Sequence, residues 1–133
     1  MGTWGYRTFE DDTACDWLYD LEQEGTDLLA RSLSPDNDGD DYLDSDDGIA
    51  ILAAAEIIYG VLNGPREGLP DEALNWINAN KTADVACFKP LCEGRLGRVL
   101  SEQSELRQLW EENADEFENW KTNVEFLRDA LKD

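Results

Sequence analysis

The sequence predicts an all-α fold, a compact single-domain bundle of five to seven helices with an acidic loop between the first and second helical regions. Three observations lead there. Apolar residues recur every three to four positions in most segments, the spacing that lays one stripe along a helix. No stretch of useful length alternates apolar and polar residues as a half-buried strand would. Short polar side chains, Gly and Pro fall between the stripes, where helices start and stop. At 133 residues the chain can bury one core, so residues 1–133 read as a single helical domain without internal repeats.

Residues 1–10 form an aromatic lead-in, with Trp4, Tyr6 and Phe9 expected against the body of the fold. Asp11 or Asp12 caps the first helix, because a short carboxylate satisfies the open N–H groups of a first turn. Ala14, Trp17, Leu18 and Leu21 form its stripe. Gly25 weakens this helix, and Thr26 restarts it through Leu28, Leu29 and Leu33. Ser34-Pro35 ends that element, and an Asp-rich loop spans 34–47. The strongest helix runs from about Ser45 or Asp47 to Asn63, with Ile49, Leu52, Ala53, Glu56, Ile57 and Val61 along it. Asn63-Gly64-Pro65 stops it, since Gly suits a left-handed cap and Pro cannot continue.

Pro70 begins a short helix carrying Leu74, Trp76 and Ile77, broken at Asn78-Ala79-Asn80. A further helix is expected from near Thr82 to Leu100, kinked or split by Pro90 and weakened by Gly94 and Gly97. Ser104 caps the next one, which carries Leu106, Leu109 and Trp110. Asn113-Ala114-Asp115 reads as a break, with Asp115 and Glu118 in a capping arrangement. The last helix buries Phe117, Trp120, Val124, Leu127 and Leu131.

Charge carries most of the functional information. The chain holds 31 Asp plus Glu against 11 Lys plus Arg, a formal −20, and no histidine. Fifteen of the acids lie in residues 1–47, opposed there only by Arg7 and Arg31. Nucleic acid and anionic membrane are poor direct ligands for such a chain, because phosphate recognition needs Lys and Arg. Basic proteins and cations are the natural partners. Brine adaptation or plain solubility would also keep acids on a surface, but neither explains their concentration near the front. Concentrated charge steers and selects a partner of opposite sign. The candidate face is Asp11, Asp16, Asp20 and Glu24, with Asp36, Asp38, Asp40 and Asp41 of the loop. The basic segment 81–98 is expected to serve the chain's own acids.

The loop DNDGDDYLDSDD offers a second chemistry. Counting Asp36 as the first position of a twelve-residue calcium loop, Asp38, Asp40, Asp44 and Asp47 fall at positions 3, 5, 9 and 12. Tyr42 would lend the backbone carbonyl of position 7. Two departures weaken the pattern: Asp41 stands where the turn needs glycine, and Asp47 is shorter than the usual bidentate Glu. A solvated acidic loop whose last Asp residues cap a helix is the competing reading. Ca2+ is thus the one cofactor considered.

Enzymatic readings find little support. Without histidine the usual Ser or Cys triads and His-ligated zinc are excluded. A carboxylate pair could still catalyse, but no motif singles one out. Of the five Trp residues, Trp17 and Trp120 fit core stripes, while Trp76 and Trp110 remain open as binding anchors. Cys15, Cys87 and Cys92 follow no pairing pattern and read as small buried hydrophobes. The start Met1-Gly2 lacks the Ser or Thr that myristoylation wants, having Tyr6 instead. With no leader-like or membrane-length apolar run, the expectation is a cytoplasmic protein.

The opening MGTWGYRTFEDDTACDWLYDL, the middle DDYLDSDDGIAILAAAEIIYGVLNGP and the late SELRQLWEENADEFENW resemble, in the same order, blocks of the bacterial "domain of unknown function 4259" family. That resemblance implies a small, mostly helical, cytoplasmic bacterial protein and brings no activity or catalytic residue with it. Together these readings predict a non-catalytic acidic module, of inhibitor or immunity type, that covers a basic surface of a partner protein. Oligomeric state is not readable from the sequence.

Overall fold

The computed structural model describes residues 5–34 and 42–132. Among them are seven α-helices: α1 (Asp12–Glu24), α2 (Thr26–Ser32), α3 (Ser45–Asn63), α4 (Asp71–Ala79), α5 (Lys89–Val99), α6 (Glu105–Glu111) and α7 (Ala114–Ala130). The all-α reading holds. The strand-like features among the described residues are isolated bridge residues, among them the parallel bridge between Leu43 and Ser104.

Helix α3 is the hub and packs against each of the other six. Its sequence explains this. From Ile51 to Ile58 every residue is buried, so this stretch is apolar all round apart from Glu56. A helix without a polar face is stable only when enclosed. The alanines at 53–55 are fully buried and let neighbours approach closely. Around α3 the core collects Trp17, Leu21, Leu29, Ile77, Leu96, Trp120 and Leu127 from the surrounding helices.

Local signals set most boundaries. Asp11 caps α1 by accepting from the Ala14 N–H at 3.1 Å, and Ser104 caps α6 by accepting from Arg107. Gly25, at φ +62°, ends α1 and starts α2. In that left-handed region glycine avoids the Cβ clash other residues meet. Helix α3 ends at Asn63 before Gly64, and α4 follows Pro70, as the sequence predicts.

Three expectations are corrected. The long helix from Thr82 to Leu100 does not form: a short 3-10 turn, Ala86–Phe88, precedes α5. The break falls beside Pro90, the splitting outcome the sequence allowed: Pro90 lies in the first turn of α5, where its missing N–H costs nothing and it helps start the helix. The capping arrangement at Asp115 is absent, because Asn113 is the N-cap and Asp115 is already in the first turn of α7. Of the cysteines, only Cys92 is buried; Cys15 is half-buried and Cys87 exposed. Tyr6 is half-buried and Phe9 buried, whereas Trp4 lies outside the described residues. No helix among the described residues is long and apolar enough to cross a membrane.

Candidate functional site

The lead-in, α1, α3 and α6 enclose a groove of about 780 Å³. One wall is the lead-in, with Tyr6, Arg7 and Glu10, running into Asp11 and Thr13. The opposite wall is Leu109 and Trp110 of α6, with Asn113 and Glu116 at the start of α7. Ser45, Asp46 and Ile49, from the first turns of α3, close its end. Past Thr13, Asp46 and Ile49 the groove continues into a smaller cleft of about 190 Å³, where Asp16 and Asp20 of α1 face α3.

The floor is apolar and held stiffly. Trp110 is half-buried and stacks on buried Trp120, with ring centroids 6.2 Å apart and planes 12° from parallel. Phe117 also stacks on Trp120, at 6.0 Å. Leu106 is buried against Gly48, where an added Cβ would lie 3.3 Å from the Leu106 Cβ. Leu109, one turn on, is 50% exposed. The rim is acidic. Asp16, Asp20 and Asp46 have no ion-pair partner among the described residues. Glu10 accepts from the Arg7 backbone N–H, and Glu116 accepts from Asn119. Arg7, 5.8 Å from the centre of the Tyr6 ring, is the cation lining the groove.

The sequence-predicted acids divide among several duties. Asp16 and Asp20 share the cleft, and Asp11 joins the groove wall while capping α1. Glu24 lies elsewhere, engaged by Arg31 through two hydrogen bonds, which raise the Arg31 pKa. Asp36, Asp38, Asp40 and Asp41 lie outside the described residues. Of the remaining calcium-loop candidates, Asp44 caps α3 by accepting from the Asp47 N–H at 2.9 Å. The Tyr42 hydroxyl donates to Gln108, and Tyr42 ionises less readily because of desolvation and the nearby charges of Glu105 and Asp44. Glu105 also accepts from the Ser45 N–H at 2.8 Å, a second cap for α3. Among the described residues no group of three or more Asp, Glu or Cys could hold a metal ion.

A second cavity, about 350 Å³, lies on the other side of the lead-in. Its base is a closed polar ring. The Thr8 hydroxyl donates to Glu56 Oε1 at 2.8 Å, and Arg66 Nε donates to Glu56 Oε2 at 2.8 Å. Arg66 Nη2 donates to Asn123 Oδ1 at 2.6 Å, and Asn123 Nδ2 returns to Thr8 Oγ1 at 3.3 Å. Glu56 is 2% exposed, and three donor contacts meet its carboxylate. The guanidinium of Arg66 also rests 4.9 Å from the centre of the Phe126 ring. The sequence placed Glu56 on the α3 stripe without giving it a role. A carboxylate at a core position was itself the signal that a partner had to exist.

Two of the three thiols are muted. Burial pushes Cys92 up to about 12, and burial with surrounding acids raises Cys15. Both stay protonated near neutrality, and a thiol is a far weaker nucleophile than a thiolate.

These features define a class: a small all-α protein built around one enclosed helix, carrying an acid-rimmed groove with an aromatic floor. The chain belongs to the family described as Domain of unknown function (DUF4259), whose model matches residues 2–123. No curated protein and no solved structure matches it.

Proposed function

We propose that this protein is a non-catalytic binding module whose acidic front covers a basic surface of a partner protein, in the manner of an inhibitor or immunity protein. The observation that supports it is the cleft between α1 and α3. Asp16, Asp20 and Asp46 line it together and have no ion-pair partner among the described residues. Carboxylates that line one cleft repel one another, and a cationic surface relieves that repulsion. The proposed setting is the reducing cytoplasm, which suits three free cysteines. Absence of histidine and the raised Cys15 and Cys92 thiols favour binding over catalysis.

The test is capture from the protein's own cell extract at low salt. A partner should elute as NaCl rises to about 0.5 M, since screening at that strength acts within a few ångströms. The triple variant Asp16→Lys, Asp20→Lys, Asp46→Lys should lose it. A control of equal charge change, Asp71→Lys, Glu102→Lys, Glu118→Lys, should keep it. Equal loss in both variants would show that only total charge matters and would reject this face.

A further inference from the structure

We infer that the groove between the lead-in, α3 and α6 seats an amphipathic basic segment of the partner, with one large apolar side chain over Trp110 and Leu109 and Lys or Arg residues flanking it. This rests on the proposed acidic-face reading and adds an anchor to it. Charge and shape each contribute. The floor offers half-buried Trp110, fixed by its stack on Trp120, beside half-exposed Leu109. A rigid aromatic loses little freedom when covered, which is why such residues dominate interface centres. Glu10, Asp11, Asp46 and Glu116 surround that floor, with Asp16 and Asp20 at its far end, against the single cation Arg7 among the described lining residues. An uncharged apolar segment would bury that floor but leave the carboxylates facing one another. A purely basic segment would pair the carboxylates but leave the floor wet. Only a segment carrying both matches the lining. The volume, about 780 Å³, is in the range of sites that enclose a ligand.

Three synthetic peptides of equal length test this on the full chain. One carries Lys with a central pair of Leu, one Lys with Ser in place of Leu, and one Leu with Ser in place of Lys. Binding is read by titration calorimetry and by tryptophan fluorescence, with Trp110→Phe identifying the reporting ring. The Lys/Leu peptide should bind at least about tenfold more tightly than either other, within what partial burial of one apolar side chain can supply. Leu109→Ser alters a half-exposed residue and should spare the fold, yet it should erase most of that advantage. Equal binding of the two Lys peptides would overturn the anchor while leaving the acidic face standing. Equal binding of the two Leu peptides would overturn the basic partner and, with it, the acidic-face reading. An advantage that survives Leu109→Ser and leaves Trp110 fluorescence unchanged would move the anchor elsewhere and overturn this site.

Discussion

Glu56 occupies a position that apolar side chains hold on every adjacent turn of α3. Its carboxylate is kept there by Thr8 from the lead-in and by Arg66 from the segment after α3, while Asn123 of α7 ties Thr8 to Arg66. Removing one member of a buried pair leaves the other without compensation. Arg66 is 24% exposed and recovers part of its hydration, which reduces the loss. Glu56→Gln should therefore destabilise the fold by roughly 2–3 kcal/mol. In a thermal melt this lowers Tm by roughly 10 °C, with the helical dichroism intact at room temperature. An unchanged Tm would show that the ring contributes no net stability. Nothing local to Glu56 names its partners Thr8 and Arg66, which lie 48 and 10 residues away. Residues of this kind mark where a sequence stops being readable one segment at a time.

At the scale of elements, the sequence was most legible where a boundary depends on a few neighbouring atoms. Asp11 and Ser104 cap as their position implies, Gly64 follows the end of α3, and Pro70 precedes α4. It was less legible where neighbouring local signals compete. The start of α5 at Lys89 and the cap at Asn113 both moved from their expected places. The groove was legible only in fragments: Asp11, Asp16, Asp20 and Trp110 carried signals, but Arg7, Asp46 and Glu116 gained meaning only when three helices met. Glycines show the same division. Gly60 lies in α3 against α4, where an added Cβ would collide with the Cδ1 of fully buried Ile77. Gly94 in α5 faces open space. Alanine favours helix over glycine by about 1 kcal/mol. Gly94→Ala should thus gain up to about 1 kcal/mol, and Gly60→Ala should instead lose about 1–2 kcal/mol as overpacking outweighs propensity. Urea denaturation of the two variants should give shifts of opposite sign. Two stabilising shifts would show that Ile77 yields easily.

For the whole molecule, the dominant quantity is the formal charge of −20. Eleven Lys and Arg cannot neutralise 31 acids, even where they form ion pairs such as Arg31–Glu24 and Arg107–Glu111. The remaining like charges repel more strongly in the folded chain, where they lie closer together. Raising NaCl from about 10 mM to 0.5 M shortens the screening length from about 30 Å to a few ångströms. Tm should rise accordingly, and most steeply at the low-salt end. A melting temperature independent of NaCl would mean that surface repulsion is not a significant load on this fold.

The polar ring also joins distant parts of the chain, since Thr8 and Asn123 are 115 residues apart. It works as a clasp that can close only after the C-terminal helix has docked, because contacts between remote residues must first overcome the entropy of closing the loop between them. The lead-in held by that clasp is also a wall of the groove. Peeling away residues 5–11 would therefore dismantle the groove, expose buried Phe9 and withdraw the cap of α1. Occupancy of the groove and protection of the lead-in amides from hydrogen exchange become two views of one equilibrium, each favouring the other by the same free energy.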